Sequence, residues 1–450
     1  MAFITSGSEP SMLTESHLFY VPPTITERAA THDVLVGPAA ATFDEAPDIR
    51  FEIAPSTDLI SLADMRFECE LYLFKRNGQP MDDQQNACPK NNMLGSLFQS
   101  VTVEIAGRCI SDPSNLYFIR SYLENLLGYS REAQNSQLTS EGFFYQSKMI
   151  KDNLEGSYTA GPPALHTFPN EDQTLRWQLF KQSSVNPVLL SGKIHSDIFQ
   201  QDKPLIPGVP LSIKFTRARP GVGYTAASDD DIPKVVIRKP RLFVRKYEPS
   251  SSYLSALQKH LATAPAVYHF ERVQMRQTTL NQDATFCDWP NVAAGQLPKM
   301  MLITMVSSNA LAGTHNTTPY HFEDFGLNYL NAEIDGKIYP SQGYNMDFET
   351  HQTLPCYDGL CRVLEVFNET TKGLPFNRNE YEQGNTIFGF DFTPSGTSRG
   401  ALTLIRQGNL NINLRFKAPL KKSIVIIAYL VYDSTVSINT MRQVAFDYSP

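Results

Sequence analysis

The sequence lacks the main features of membrane-spanning, secreted and metal-binding proteins. Its 450 residues contain no apolar run of the roughly 18 residues that cross a bilayer. The first seven residues, Met-Ala-Phe-Ile-Thr-Ser-Gly, lack the basic and apolar regions of a signal peptide. The six cysteines include no Cys-x-x-Cys pair and no spacing typical of metal ligands. These absences predict a chain without a transmembrane segment, made in a reducing compartment, whose cysteines are buried or incidental thiols.

Sequence signatures of catalysis are also missing. No His-Glu-x-x-His, Gly-x-Ser-x-Gly or Walker loop occurs, and the nine histidines are scattered. Gly221-Val-Gly-Tyr-Thr-Ala226 matches a dinucleotide-binding loop by spelling, but a loop containing Asp229-Asp-Asp231 follows it instead of a helix. That acidic run lacks the further oxygen ligands of a calcium site. The sequence therefore predicts no catalytic, cofactor-binding or metal-binding residue; a glycosidase-like carboxylate pair stays open as an alternative.

Acidic side chains dominate the start of the chain. The first fifty residues hold seven acidic side chains against two arginines. Because Lys and Arg make the contacts to nucleic-acid phosphates, this segment is not predicted to coat a genome. Its one strongly apolar patch consists of Leu18, Phe19, Tyr20 and Val21. An extended, proline-rich segment of this kind is suited to docking on a neighbouring subunit or on its own domain. We therefore treat these four residues as candidate inter-subunit contacts.

The densest basic stretch spans residues 238–246, where Arg and Lys alternate with β-forming side chains around Pro240. Charges and a proline on a strand are typical of a sheet edge that is protected from further pairing. The sequence therefore predicts an edge strand here, with a docking site for an acidic partner as the alternative.

One strand-and-turn pattern occurs in both halves of the chain. Residues 97–110 alternate apolar and polar side chains and then turn at Gly107, and residues 325–339 repeat the scheme with a turn at Gly336. Residues 211–215 and 410–414 form a second similar pair. Many Phe, Tyr, Pro and Gly with only two Trp are typical of short strands joined by turns. Together the patterns indicate two copies of one β domain.

Two helices and four segments are predicted along the chain. Apolar residues fall on one face of a helix over 115–127 beside the first β domain, with Ser114 as its N-cap and Gly128 as a left-handed C-terminal cap. A second helix over 251–261 connects the halves, and the doubly apolar run 424–432 predicts a central strand. The predicted segments are an extended N-terminal arm (1–49), a first β domain (50–249), a connecting helix and linker (250–272) and a second β domain (273–450).

Several ordered blocks extend over nearly the whole chain. They are residues 14–24, 92–107, 117–129, 295–298, 388–394 and 442–448, among them Leu-Phe-Tyr-Val-Pro-Pro, Asn-Met-Leu-Gly-Ser-Leu-Phe-Gln-Ser-Val-Thr-Val-Glu-Ile-Ala-Gly and Phe-Gly-Phe-Asp-Phe-Thr-Pro. In this order they resemble the major capsid proteins of Polinton (Maverick) elements and adintoviruses. The chain departs from that pattern at His17, where an acid is common, and the loops near 220–234 and 366–385 are not diagnostic.

The resemblance implies an all-β chain of two tandem jelly-roll β-sandwiches, a double jelly roll, with short helices and an extended N-terminal arm. It implies a structural protein, not an enzyme, that forms homotrimers and builds the icosahedral shell of a double-stranded DNA virus or virus-like transposon. The implied partners are neighbouring capsomers, penton proteins and other minor capsid proteins, with no sequence-specific nucleic-acid binding. The implied location is the virion, assembled inside the host cell. A host-domesticated capsid protein and a carbohydrate-binding β-sandwich are the alternatives.

Overall fold

The computed structural model describes residues 28–40, 46–80, 87–112, 114–145, 171–180, 183–226, 228–367, 369, 373–394, 402 and 404–447. Within these residues, two antiparallel β-sandwiches follow one another along the chain. We name them the first roll, which extends from Arg28 to Pro249, and the second roll, which begins at Ala266.

The first roll contains two four-stranded sheets and one short strand pair. Its strands are β1 (Arg28–Val36), β2 (Asp48–Ile53), β3 (Leu59–Phe74), β4 (Ala87–Pro89), β5 (Phe98–Ile105), β6 (Arg108–Cys109), β7 (Val188–Lys193), β8 (Leu211–Arg217), β9 (Tyr224–Ala226) and β10 (Lys234–Pro249). Sheet I has the order β1-β10-β3-β7, and sheet II has the order β2-β8-β5-β6. Strands β4 and β9 pair separately.

The second roll repeats this arrangement. Its strands are β11 (Ala266–Leu280), β12 (Phe286–Gln296), β13 (Met300–Ser307), β14 (Leu327–Ile334), β15 (Lys337–Asn345), β16 (Ile387–Asp391), β17 (Gln407–Phe416), β18 (Ile424–Ile438) and β19 (Val444–Phe446). Sheet III has the order β11-β18-β13-β16, with β19 also paired to β18, and sheet IV has the order β12-β17-β14-β15.

The two rolls share one topology. If β4, β9 and β19 are set aside, the eight main strands of each roll are ordered 1-8-3-6 in one sheet and 2-7-4-5 in the other. This is the double-sheet arrangement of a jelly roll. Residues 97–110 and 325–339 supply the fourth and fifth strands of their rolls, and residues 211–215 and 410–414 supply the seventh. The predicted fold, two tandem jelly rolls, is therefore confirmed.

Apolar side chains from both sheets of each roll form its core. In the first roll, the ring of Phe67 on β3 lies 4.8 Å from that of Phe215 on β8 and 5.3 Å from that of Phe98 on β5, measured between centroids. In the second roll, β18 pairs with β11 on one side and β13 on the other, and residues 424–432 are buried. The prediction of a central strand there is confirmed.

The helices lie in the connections between strands. They are α1 (Met93–Ser96), α2 (Tyr117–Gly128), α3 (Arg131–Gln134), α4 (Glu171–Phe180), α5 (Pro220–Gly223), α6 (Ser251–Thr263), α7 (Ser308–Ala312), α8 (Leu354–Val363) and α9 (Arg378–Glu382). Short 3-10 helices occur at Gln137–Glu141, Asp197–Gln200 and Asp229–Asp231.

The two predicted helices exist, but the predicted caps of the first are wrong. Helix α2 begins after Leu116, which makes no side-chain cap. The hydroxyl of Ser114, the predicted cap, bonds to Asp112 instead. Its C-terminal cap is Tyr129 in an extended conformation, so Gly128 needs no left-handed backbone. Helix α6 begins after Ser250, whose hydroxyl accepts a hydrogen bond from the Tyr253 amide at 3.2 Å.

Strand pairing shows that each roll begins earlier in the chain than the sequence predicted. Strand β1 lies within the predicted arm (1–49), yet it pairs with β10 and belongs to sheet I. Its first six residues are all exposed, so it lacks the apolar alternation by which strands are recognised. Strand β11 likewise begins at Ala266, inside the predicted linker.

Strand β10, predicted as an edge strand from its charges, is an interior strand between β1 and β3. Acidic side chains on the neighbouring strands neutralise it: the Lys239 ammonium lies 2.7 Å from Glu70, and the Arg245 guanidinium lies 3.0 Å from Asp33. Pro240 falls in a break of the ladder between Arg238 and Arg241, where a missing amide hydrogen costs no strand pairing. The charges therefore serve contacts within sheet I.

Candidate assembly interface and the junction between the rolls

The predicted inter-subunit contacts Leu18, Phe19, Tyr20 and Val21 lie outside the described residues. Their role stays a prediction. The structure does describe the junction between the two rolls. It also describes apolar side chains that are exposed on sheets I and IV and in the connection between β15 and β16.

Helix α2 fills the space between the rolls. It lies in the connection between β6 and β7 of the first roll, but most of its buried side chains join the apolar cluster of the second roll. The ring of Tyr122 stacks on that of Tyr320 with 4.4 Å between centroids. The Tyr429 hydroxyl of β18 donates to Glu124 at 3.3 Å. The helix predicted beside the first roll therefore covers the outer side of sheet III, the side away from sheet IV.

First-roll side chains also cap the free edge of β11. The Met275 amide donates to Asp112 at 3.1 Å, and the Val273 amide donates to Asp197 at 3.1 Å. The Gln201 side chain donates to the His269 carbonyl at 2.7 Å. An edge strand presents unpaired backbone groups that attract other strands. Here these three side chains satisfy part of the edge, and they fix the second roll against the first.

A buried ionic cluster lies beside this capped edge. Its members are Arg120, Glu124, Glu141, His195 and Asp197. The Arg120 guanidinium contacts Glu124 at 2.8 Å and also bonds to Asp197. The His195 Nδ1 atom lies 2.8 Å from Glu124, and its Nε2 atom lies 3.9 Å from Glu141. Because Asp197 also accepts from β11, the cluster connects both rolls.

The pKa values of the cluster follow from burial and from these contacts. Burial alone would raise the pKa of Glu124, but the adjacent Arg120 and His195 hold that pKa well below its usual range. Burial would lower the pKa of His195, but its bonds to Glu124 and Glu141 raise that pKa instead. Burial raises the pKa of Asp197 to about 6, although Arg120 acts against this rise. The pKa of Asp197 stays raised because Arg120 also bonds to Glu124, and because Asp197 Oδ2 has no hydrogen-bond donor among the described residues.

We expect the cluster's contribution to the free energy of unfolding to fall as pH rises from about 4 through the raised pKa of His195. The folded-state pKa of Asp197, about 6, exceeds its ordinary value of 3.8, so the folded chain holds a proton that the unfolded chain has released. Protonated His195 contributes fully below 6.5, its ordinary pKa, and this contribution is lost as pH rises through the raised folded-state pKa. Glu124 acts in the opposite direction, and only below its ordinary pKa of 4.5.

Denaturant unfolding at a series of pH values measures this effect. The variant Asp197→Asn should lose the decrease in the free energy of unfolding between about pH 4 and pH 6. The control Asp230→Asn removes an exposed carboxylate outside sheet I and should keep the wild-type pH dependence. Parallel profiles for Asp197→Asn and the wild type would contradict the assignment.

A close backbone approach joins the rolls at a second point. A Cβ atom added to Gly221 in α5 would lie 1.9 Å from the carbonyl oxygen of Gly313, which follows α7. Gly313 has a φ of +79°, and its own added Cβ would lie 2.9 Å from the Val222 amide nitrogen. Only glycine lets these two backbones approach so closely.

Gly221→Ala is therefore expected to lower the free energy of unfolding by about 1–3 kcal/mol, because the methyl group must push two backbone segments apart. Urea unfolding of the purified chain would measure the loss. Gly37→Ala is the matched control, since its added Cβ would have no heavy atom within 4 Å. Equal stability of the two variants would show that the segments separate without cost.

Possible metal ligands are dispersed in the described residues, and two buried cysteines stay protonated. In this part of the chain, no three His, Cys, Asp or Glu side chains are placed to share a metal ion. Burial raises the pKa of Cys69 and of Cys356 to about 12, which keeps both as thiols. Among the helices described, none is long and apolar enough to cross a membrane.

Exposed apolar side chains mark three parts of the surface. Leu35 and Leu189 belong to strands of sheet I, and Phe286 and Ile338 belong to strands of sheet IV. Leu354 and Phe367 lie in the connection between β15 and β16. Sequence patterns did not single out these residues, because apolar side chains of a strand read as core positions until the structure shows which of them face outward. Arg120 and Glu124 lie in a block that carried the family resemblance, but nothing in the sequence linked them to His195 or Asp197.

Sequence comparison finds one distant relative, while no family model matches the chain. An uncharacterized protein of Caenorhabditis elegans is 21% identical over 368 residues, which cover 80% of this chain and 81% of the relative.

Solved structures resemble the chain over nearly its full length. A chain of the Sputnik virophage particle has a TM-score of 0.60 at 12% identity and covers 100% of this chain and 95% of its own. The mavirus major capsid protein has a TM-score of 0.53 at 10% identity, with 99% and 96% covered. A chain of the PBCV-1 virus capsid has a TM-score of 0.51 at 10% identity, with 96% and 100% covered. This chain has the two-roll fold seen in these viral capsid structures.

Proposed function

We propose that this chain is a major capsid protein. It forms homotrimers that assemble the icosahedral shell of a double-stranded DNA virus or of a virus-like transposon of the Polinton and adintovirus type. One observation carries the proposal: two rolls of identical strand order in a single chain. The full-length likeness to the mavirus major capsid protein supports it, and so does the resemblance of the sequence blocks to the Polinton and adintovirus family.

The geometry of a double roll suits a lattice building block. Three chains with two similar rolls each provide six walls around a threefold axis, so a trimer tiles a near-hexagonal lattice. The capped edge of β11, the ionic cluster and helix α2 hold the two rolls of one chain as a single block. In this role the protein needs no turnover and no cofactor; its partners are copies of itself, neighbouring capsomers, and penton and minor capsid proteins of the virion.

A host-domesticated capsid protein is the second candidate. The observation that favours it is the relative from the nematode Caenorhabditis elegans, a cellular organism. A domesticated protein would keep the fold and the trimer but would not build particles.

Sedimentation and electron microscopy of the expressed chain test the proposal. We expect a species of three times the chain mass of 50.5 kDa, with near-hexagonal outlines and closed particles at high concentration. An obligate interface buries upwards of about 2,000 Å², so dilution should not release folded monomer. A stable folded monomer at micromolar concentration would contradict the capsid assignment, and trimers that never form particles would favour the domesticated protein.

A further inference from the structure

We propose that the free edge of β1 and the outer side of sheet I form the surface on which the second roll of another copy of this chain docks. The inference rests on the proposed homotrimer, and it identifies the surface through which the chains meet. Because the two rolls have the same strand order, each edge and face of one roll has an equivalent in the other.

Strands β1 and β11 are equivalent, because each is the first strand of its roll and the outermost strand beside the eighth. Asp112, Asp197 and Gln201 of the first roll cap the edge of β11. The edge of β1 has no such cover among the described residues, and the first six residues of that strand are exposed. Among the described residues, one equivalent edge is thus capped within the chain by three side chains, and the other has no equivalent cap.

The outer sides of sheets I and III differ in the same way. Helix α2 covers sheet III, and it comes from the connection between the fifth and sixth main strands of the first roll. Sheet I has no such helix over its outer side in the described chain, where Leu35 is 52% exposed and Leu189 is 69% exposed. Partly exposed rings lie between them, with the Arg66 guanidinium 4.5 Å from the Phe243 ring centroid. In the described part of the chain, no helix covers this side of sheet I, which has mixed aromatic and basic character.

The equivalent connection of the second roll supplies the complementary surface. It lies between β15 and β16, the fifth and sixth strands of that roll, and contains α8 and α9. Leu354 at its start is 48% exposed, and Phe367 is 57% exposed. Helix α8 packs against Gly389 of its own roll. Within one chain, the connection therefore cannot cover sheet I in the way that α2 covers sheet III. A second copy can bring it there.

Part of the charge on each surface is neutralised within the chain, by Glu70 and Asp33 on sheet I and by Arg131 and Lys417 beside the connection. The remaining net charges of the two surfaces are opposite. The four strands of sheet I contain nine Lys and Arg against five Asp and Glu, whereas residues 346–386 contain seven acidic against three basic side chains. Opposite net charge on two surfaces favours their encounter and disfavours pairing of either surface with itself. A ring in which first and second rolls alternate would satisfy every β1 edge, and three copies would close it.

Photo-crosslinking of the full chain tests the surface. A photoreactive benzoylphenylalanine replaces Leu35, and a mixture of isotope-labelled and unlabelled chains separates crosslinks between copies from crosslinks within a copy. We expect crosslinks between copies that map to residues 346–394. The same photoreactive residue in place of Ile338, which is 42% exposed on sheet IV, should give no crosslink to that segment of another copy.

A pair of charge variants gives an independent readout. Leu35→Glu should reduce the trimer fraction in sedimentation about tenfold or more, as expected for a side chain in a buried interface, whereas Ile338→Glu should leave it unchanged. If wild-type trimers form but position 35 crosslinks to residues 1–27 or to another surface, the inference is wrong and the capsid proposal stands. If the wild-type chain forms no oligomer, the capsid proposal fails and the inference fails with it.

Discussion

Replacing Arg120 with alanine is expected to lower the free energy of unfolding by about 3–5 kcal/mol. Arg120 is 3% exposed and bonds to both Glu124 and Asp197. Its removal leaves buried Asp197 without a cation and leaves Glu124 with His195 alone. The cost of that uncompensated charge is much larger than the contribution of an ordinary ion pair. Urea unfolding followed by fluorescence or circular dichroism would measure the loss.

The matched control is Arg76→Ala, which breaks an ion pair to Asp230 that is exposed and lies outside the strands of sheet I. Exposed ion pairs contribute about 0–1 kcal/mol, so this variant should stay close to the wild type. The combined variant Arg120→Met with Glu124→Gln and Asp197→Asn should recover part of the stability, because it removes all three charges together. Equal losses for Arg120→Ala and Arg76→Ala would show that the buried cluster contributes no more to stability than an exposed ion pair does.

Deleting residues 1–24 is expected to leave trimers folded and to abolish or strongly reduce the assembly of shells. Strand β1 begins at Arg28, so every described strand and helix lies downstream of the deletion. A segment with this acidic, proline-rich composition forms no core of its own and becomes ordered only against another surface. Electron microscopy would count closed particles, and sedimentation would report the trimer.

The deletion carries two controls. Because residues 1–24 contain no Lys or Arg, the assembly defect should be the same with and without DNA. A full-length chain in which Leu18, Phe19, Tyr20 and Val21 are replaced with serine should show the same defect. Normal particles from the truncated chain would refute the role in the lattice, and loss of the trimer would place this segment inside the capsomer.

The sequence predicted those parts of the fold that depend on local periodicity. The alternation around Val101 and Val103 has a strict period of two, which a half-buried strand such as β5 requires. The same pattern recurs in β14, so the duplication could be seen without a structure. The apolar run from Ile424 to Tyr432 identified β18, because a strand covered on both faces has no polar side.

Features that depend on partners distant in sequence could not be predicted in this way. The charges of β10 resemble those of an edge strand, and only the acidic residues opposite them, such as Glu70, show that the strand is interior. Arg120 and Asp197 are 77 positions apart, and no pattern in either segment specifies that they meet. The charged cluster at the junction is therefore visible only in three dimensions.

The capped edge of β11 also affects how the chain folds during translation. All three capping side chains, Asp112, Asp197 and Gln201, belong to the part of the chain that leaves the ribosome before β11 does. During translation, an unpaired strand edge is the part of a nascent chain that most readily aggregates. When β11 emerges, its caps are already present on a domain that can fold first. The reverse domain order would leave the same edge uncovered until translation had finished.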